Sequence, residues 1–214
     1  MQPTITVRGE AQREVPPELA VVFVSTSARD RDKDAVLALL TKRADALRAA
    51  LDGYGAAIER HETSDLQVFP EFQRPGEPPV AYVGRVHTAV TVADFAVLGE
   101  MLPRLAGLDG AGLSGPHWQL RPGSRAGSDV RRAAIADALD RAREYAAAVG
   151  SRVDRLVEIA DEGVEGVMPA TRGMFASLAA DDGQTPVLRL DPRRQTVHAS
   201  VIVRVTITEP DLSE

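Results

Sequence analysis

Polar and apolar residues alternate from the fourth position of the chain. Thr4-Ile5-Thr6-Val7-Arg8-Gly9-Glu10-Ala11 keeps a period of two, and Thr196 to Ile207 does the same near the other end. Alternation of this length predicts half-buried strands, here over residues 4–15 and 196–207. Strands at both ends predict a sheet closed by its own termini. Pro16-Pro17 forms a rigid turn without ladder donors, and a further strand follows over 18–28.

The period then lengthens. Val36, Leu40, Ala44, Leu47 and Leu51 form one stripe, predicting a helix that Asp32 caps and that Gly53 ends in a left-handed conformation. A second strand pair is predicted at 58–72 and 80–92, joined through Arg74-Pro75-Gly76-Glu77-Pro78-Pro79. Asp94 caps a shorter helix carrying Phe95, Leu98, Leu102 and Leu105, which Pro103 should kink or end. A glycine-rich run over 107–115 leads to a strand near 117–120. Ser128 and Asp129 open the clearest helix, 130–149, with Val130, Ala134, Ala138, Ala142, Tyr145 and Val149 on one face and Gly150 after it. Its small alanines predict close packing on a sheet. Residues 152–162 read as a strand, and 163–195 as a long irregular segment before the closing strand. The order is ββαββαβαββ. This predicts an α+β fold with mainly antiparallel sheets and helices packed on one face, forming a single domain over 4–208 with a tail at 209–214.

Composition narrows the function. Aromatics are 4% of the 214 residues and the formal net charge is -6, which argues against a nucleic-acid surface built on stacking or basic patches. With no cysteine, disulfides, thiolate nucleophiles and Cys-ligated metals are excluded. Asn is absent and nearly every basic residue is Arg, the bias of a GC-rich bacterial genome. No segment approaches the ~20 apolar residues of a membrane span. The first residues lack a basic, then apolar, export signal. The expected compartment is the cytoplasm, or the periplasm and envelope if a signal has been removed.

Candidate chemistry is sparse. His61, His87, His117 and His198 show no His-Glu-x-x-His spacing. His61, His87 and His198 lie on predicted strands that would have to converge to hold a metal, whereas strand histidines are more often solvated or locally bonded. Gly112-Leu113-Ser114-Gly115 lacks the spacing of a nucleophile elbow. The glycines from 107 to 115 lack the following helix of a dinucleotide loop. Asp161-Glu162 and Asp181-Asp182 read as solvated acids. Arg131-Arg132 and Arg141-Ala142-Arg143 read as a charged outer helix face partly paired with Asp137, Asp140 and Glu144. No catalytic, cofactor-binding or metal residues are assigned. A sheet of several strands must pair, cover or blunt its edges, so long alternating strands favour assembly with a further chain.

Four segments together resemble the SIMPL-domain family. They are Ile5-Thr6-Val7-Arg8-Gly9-Glu10-Ala11 with Pro16-Pro17-Glu18-Leu19-Ala20; Thr63-Ser64-Asp65-Leu66-Gln67-Val68; Arg132-Ala133-Ala134-Ile135-Ala136-Asp137-Ala138 with Ala142-Arg143-Glu144-Tyr145-Ala146; and Thr185-Pro186-Val187 with Val197-His198-Ala199-Ser200-Val201-Ile202-Val203. That family includes bacterial periplasmic immunogenic proteins, an oxidative-stress-related bacterial protein and an animal kinase-interacting protein. The resemblance implies a domain of unknown function without an established catalytic mechanism, homo-oligomers including ring-like ones, and links to envelope or stress physiology. Asp191-Pro192-Arg193-Arg194 stands where the family often has Gly before its last strand.

The leading expectation is a non-enzymatic, self-assembling scaffold or stress-related protein. One alternative is an adaptor binding a protein partner through 163–195, with Met168, Met174 and Phe175 as apolar anchors. The other is an enzyme whose metal or small-molecule site forms only in three dimensions.

Overall fold

The computed structural model describes residues 2–166 and 188–211. Its strands and helices follow the predicted order: β1 (Thr4–Val15), β2 (Leu19–Asp30), α1 (Lys33–Asp52), β3 (Ile58–Glu71), β4 (Ala81–Val92), α2 (Leu98–Ala106), β5 (Ala111–Gln119), α3 (Arg125–Ala148), β6 (Val153–Gly166) and β7 (Gln195–Ile207). The fold is α+β and every strand pairing is antiparallel. Two compact units share the chain. The described residues 2–16, 121–166 and 194–211 form a terminal unit, and 17–120 with 188–193 form an inserted unit.

The terminal unit is a three-stranded sheet, β1-β7-β6, with α3 on one face. Its termini pair along their whole length, from Thr4 opposite Thr206 to Val15 opposite Gln195. The odd positions of β7, including Val197, Ala199, Val201, Val203 and Val205, are buried. On β1 the same face carries Val7 and Gly9. Gly9 has no side chain because α3 leaves no room for one. A Cβ there would stand 2.6 Å from both the Cβ and the backbone nitrogen of Ala138. The buried stripe of α3 is Val130, Ala134, Ala138, Ala142 and Ala146. Steps of four residues turn this stripe by about 160° along the helix, following the twist of the sheet. Tyr145 lags behind the turning stripe and is 59% exposed, against its predicted place on the apolar face.

The inserted unit is a four-stranded sheet in the order β3-β4-β2-β5, covered on one face by α1 and α2. Ala20, Val22 and Val24 of β2 and Val90 and Val92 of β4 meet Leu47 and Leu51 of α1 and Leu98, Met101 and Leu105 of α2. Asp32 caps α1 as expected, its carboxylate accepting from the Asp34 backbone N–H at 2.9 Å. Gly53 stays right-handed at φ -63°, and the positive φ falls two residues later at Gly55 (φ 48°). The helix tightens there into a further turn, with Tyr54 N–H bonded to the Leu51 carbonyl, so the left-handed step is postponed.

Three further expectations change. β1 and β2 are consecutive but do not pair with each other: β1 joins β7 and β2 joins β4 and β5. Pro16-Pro17 is therefore where the chain passes from one unit to the other. The glycine run does not merely precede a strand, since β5 begins at Ala111 and contains Gly112 and Gly115. A Cβ on Gly115 (φ 118°) would lie 2.8 Å from the Val21 carbonyl oxygen, so β5 approaches β2 at a point where only glycine fits, while one on Gly112 would meet the rotatable Ser25 Oγ at 2.7 Å.

Pro103, lastly, does not end α2, which runs on to Ala106. Proline cannot donate to the carbonyl four residues earlier, that of Gly99. That carbonyl instead accepts from the Leu188 backbone N–H at 3.0 Å, while Leu190 packs against the same core. Pro103→Ala should restore the helical donor and compete with Leu188. Expected are faster amide exchange at Leu188 and an unchanged or raised melting temperature. Undiminished protection of the Leu188 amide would refute this account.

Candidate functional site

Strand alternation places Thr6, Arg8 and Glu10 of β1 beside His198, Ser200, Ile202 and Arg204 of β7, on the face turned away from α3. Ser200 is 5% exposed. Its hydroxyl donates to Glu162 Oε2 at 2.7 Å and accepts from Arg8 Nε at 2.8 Å. Arg8 also meets Glu10 at 2.9 Å and Glu162 at 3.3 Å. Arg204 spans the sheet too, donating from Nε to Thr6 Oγ1 at 3.2 Å and approaching Glu158 at 3.9 Å. Each network joins β1, β7 and β6, so these polar groups tie the three strands together. The alternation of β1 signalled this polar face, but not its links to Glu162 or Glu158.

The open face of the inserted sheet carries Phe23, Ser25, His87, Asp65 and His117. Asp65 stands opposite His87, which stands opposite Ser25. A carboxylate, an imidazole and a hydroxyl thus share one row, an arrangement not legible before the register was known. Their hydrogen bonds lead elsewhere. The Asp65 carboxylate accepts from Gln67 Nε2 at 2.8 Å, and the Ser25 hydroxyl donates to the Gly112 carbonyl at 3.3 Å. Phe23, 41% exposed, packs its ring 5.4 Å from that of His117.

His61 and His87 do not come together. His61 pairs with Val90, on the helix-covered face, while His87 lies in the row on the open face. His198 is on β7 of the terminal unit. Among the described residues no three His, Cys, Asp or Glu side chains group as metal ligands. The acids Asp161 and Glu162 have local roles, Asp161 accepting from the Gly163 N–H at 2.8 Å. The arginines of α3 lie on its charged face, with Arg141 3.1 Å from Asp137 and Arg143 2.6 Å from Asp140. Asp181, Asp182, Met168, Met174 and Phe175 lie outside the described residues. Of the segment 163–195, residues 163–166 complete β6 and Gln195 begins β7.

At the far end of β3, Arg29 Nε donates to the Glu71 carboxylate at 2.7 Å. The hydrogen bond from Arg29 holds the Glu71 carboxyl below its ordinary value, against opposing desolvation and with a smaller contribution from the charge of Arg29. The ion pair therefore contributes at pH above ~4.3, the ordinary Glu value. It is lost as pH falls through the lowered folded value. A carbon-detected titration of Glu71 should have a midpoint below ~4.3 that rises in Arg29→Gln; equal midpoints in the two proteins would contradict this.

The sheet edges stand out chemically. β1 presents polar residues at Thr4, Thr6, Arg8, Glu10, Gln12 and Glu14, all exposed. β6, the other edge of that sheet, exposes Leu156 (51%), Val157 (53%) and Ile159 (44%). β3, an edge of the inserted sheet, exposes Leu66 and Phe69, with Phe72 just beyond it. Because α3 lies mainly over β1 and β7, Leu156 and Ile159 on the helix side of β6 stay exposed. Sequence reading found β6 as a strand but not its apolar exposure, since nothing local shows how far a helix reaches across a sheet.

Among the described residues no helix is long and apolar enough to cross a membrane. No curated protein matches the chain. One family does, over residues 5–205: SIMPL, described as proteins of unknown function (DUF541). Its match begins in β1, crosses the inserted unit and ends in β7, the two strands whose pairing joins the ends of the fold. The chain thus belongs to the SIMPL family.

Proposed function

We propose that this SIMPL protein works without catalysis, as a scaffold that assembles with further copies of itself. The observation that carries the reading is the pair of long edge strands, β3 and β6, which expose large apolar side chains. Soluble proteins ordinarily blunt such edges, because unpaired N–H and C=O groups beside apolar side chains recruit another chain. The open-face polar groups fit the same reading, since their hydrogen bonds tie strands together. Envelope or stress physiology is the setting that the family resemblance gives to this scaffold. The test is absolute mass in solution by light scattering after size exclusion, across a wide concentration range. A discrete assembly is expected. A monomer at every concentration would remove the scaffold reading.

A further inference from the structure

Edge β6 has a sequence that complements itself. Reading outward from the bond between Leu156 and Val157, Leu156 matches Val157 and Arg155 matches Glu158. An antiparallel pair of β6 strands with its twofold axis at that bond sets Arg155 of each copy opposite Glu158 of the other. The faces agree for the Arg155–Glu158 pairs, whereas one step further out Asp154, bonded to Thr206 on the polar face, would meet Ile159 of the helix face, so the matched register is confined to 155–158. Arg155 and Glu158 are paired with Thr206 and Arg204 of β7, the polar face, and Leu156 and Ile159 with Val205 and Val203, the helix face. A twofold axis normal to the sheet keeps each face on its own side. Two Arg–Glu pairs would then lie on the polar face, and the exposed Leu156 and Val157 of both copies would cluster at the axis.

We propose that β6 is a homodimerisation edge, pairing over residues 155–158 with β6 of a second copy so that the two sheets join in the order β1-β7-β6-β6-β7-β1. The proposal rests on the self-assembly reading above and names the surface and the partner. Three observations carry it. The apolar residues Leu156, Val157 and Ile159 stay exposed on a strand that α3 covers far less than β1 and β7. The charges next to the axis are opposite in sign at equivalent positions. Most other acids of the strand already have partners within the unit: Asp154 accepts from Thr206 Oγ1, Asp161 from the Gly163 N–H, and Glu162 from Ser200 Oγ. They add less repulsion at the axis than their number suggests. Arg155 is exposed and bonded to Gln2 Oε1 at 3.1 Å, and Glu158 is only 3.9 Å from Arg204. Both are solvent-accessible contacts that a stronger cross-strand pair would replace. Bulges at Val153/Arg155 and Leu156/Glu158 leave Val157 without a partner on β7, which frees it for the axis.

The test uses charge reversal in the full chain. Arg155→Glu places Glu against Glu across the axis, and Glu158→Arg places Arg against Arg. Each variant should associate roughly tenfold or more weakly than wild type, because like charges meet directly across strands twice per dimer. Mixing the two variants should restore association as a heterodimer, since each then supplies the charge the other lacks. Circular dichroism verifies that each single variant is folded; where one is not, the double variant Arg155→Glu/Glu158→Arg, expected to pair like wild type, carries the test with Val157→Lys as its disrupting control. Recovery on mixing supports the β6 edge. Wild-type-like mass in both single variants overturns it while leaving self-assembly through another surface standing. A monomeric wild-type protein overturns both readings together.

Discussion

Val203→Asp should abolish the cooperative folding of the terminal unit. Val203 is fully buried, stands between Val7 and Ile159 in the sheet, and lies on the face that α3 covers. A carboxylate there would sit between Val7 and Ile159 beneath α3 and lose its water. An unpaired buried charge costs about 3–5 kcal/mol, and a whole domain is stable by only ~5–15 kcal/mol. A unit of three strands and one helix has little reserve against such a loss. Ile202→Asp is the control, since Ile202 is only partly buried and faces the opposite side. Expected in calorimetry is a lost or strongly lowered transition for Val203→Asp and a small shift for Ile202→Asp. Equal behaviour of the two would mean that the register of β7 is off by one residue, because a one-residue slip exchanges the faces.

Gly9→Val is expected to be the next most damaging change. The added carbons meet the backbone of Ala134 and Ala138 and the Ala138 methyl, none of which can rotate away. α3 would have to lift from β1, opening the interface that holds the unit together. Overpacking at a rigid contact costs about 3 kcal/mol or more. Gly84→Ala offers the comparison. Its new methyl would meet Leu40 and Val36 at similar distances, but these are side-chain ends that can shift. Its cost should be about 1 kcal/mol. Thermal melts that rank Gly84→Ala as the worse of the two would show that α3 is not seated on β1 as described. In the double variant Gly9→Ala/Ala138→Gly the two changes should couple, since they share one contact; additive effects would contradict that contact.

Local pattern carried most of the fold. The alternation of β1 and β7, the apolar stripes of the helices and the Asp32 cap depend on neighbours within one or two turns, and they appear where the pattern places them. The polar face bearing Arg8 and Ser200 was legible as alternation, but its hydrogen-bonded links were not. Pro103 could not be read correctly, because the donor that takes its orphaned carbonyl lies more than eighty residues away at Leu188. The glycines of β5 resembled a loop because their cause is the approach of β2, which is remote in the chain.

By itself, then, the sequence determined the class, the element order, the pairing of the two ends and membership in the SIMPL family, because all of these rest on periodicity and ordered motifs. Tertiary structure alone decided that β1 and β2 part into different sheets, that His61 and His87 face opposite ways, and that Leu156, Val157 and Ile159 remain uncovered. Those outcomes depend on strand register and on how far α3 reaches across its sheet. Such quantities arise from contacts between distant segments, and no local spacing of residues encodes them.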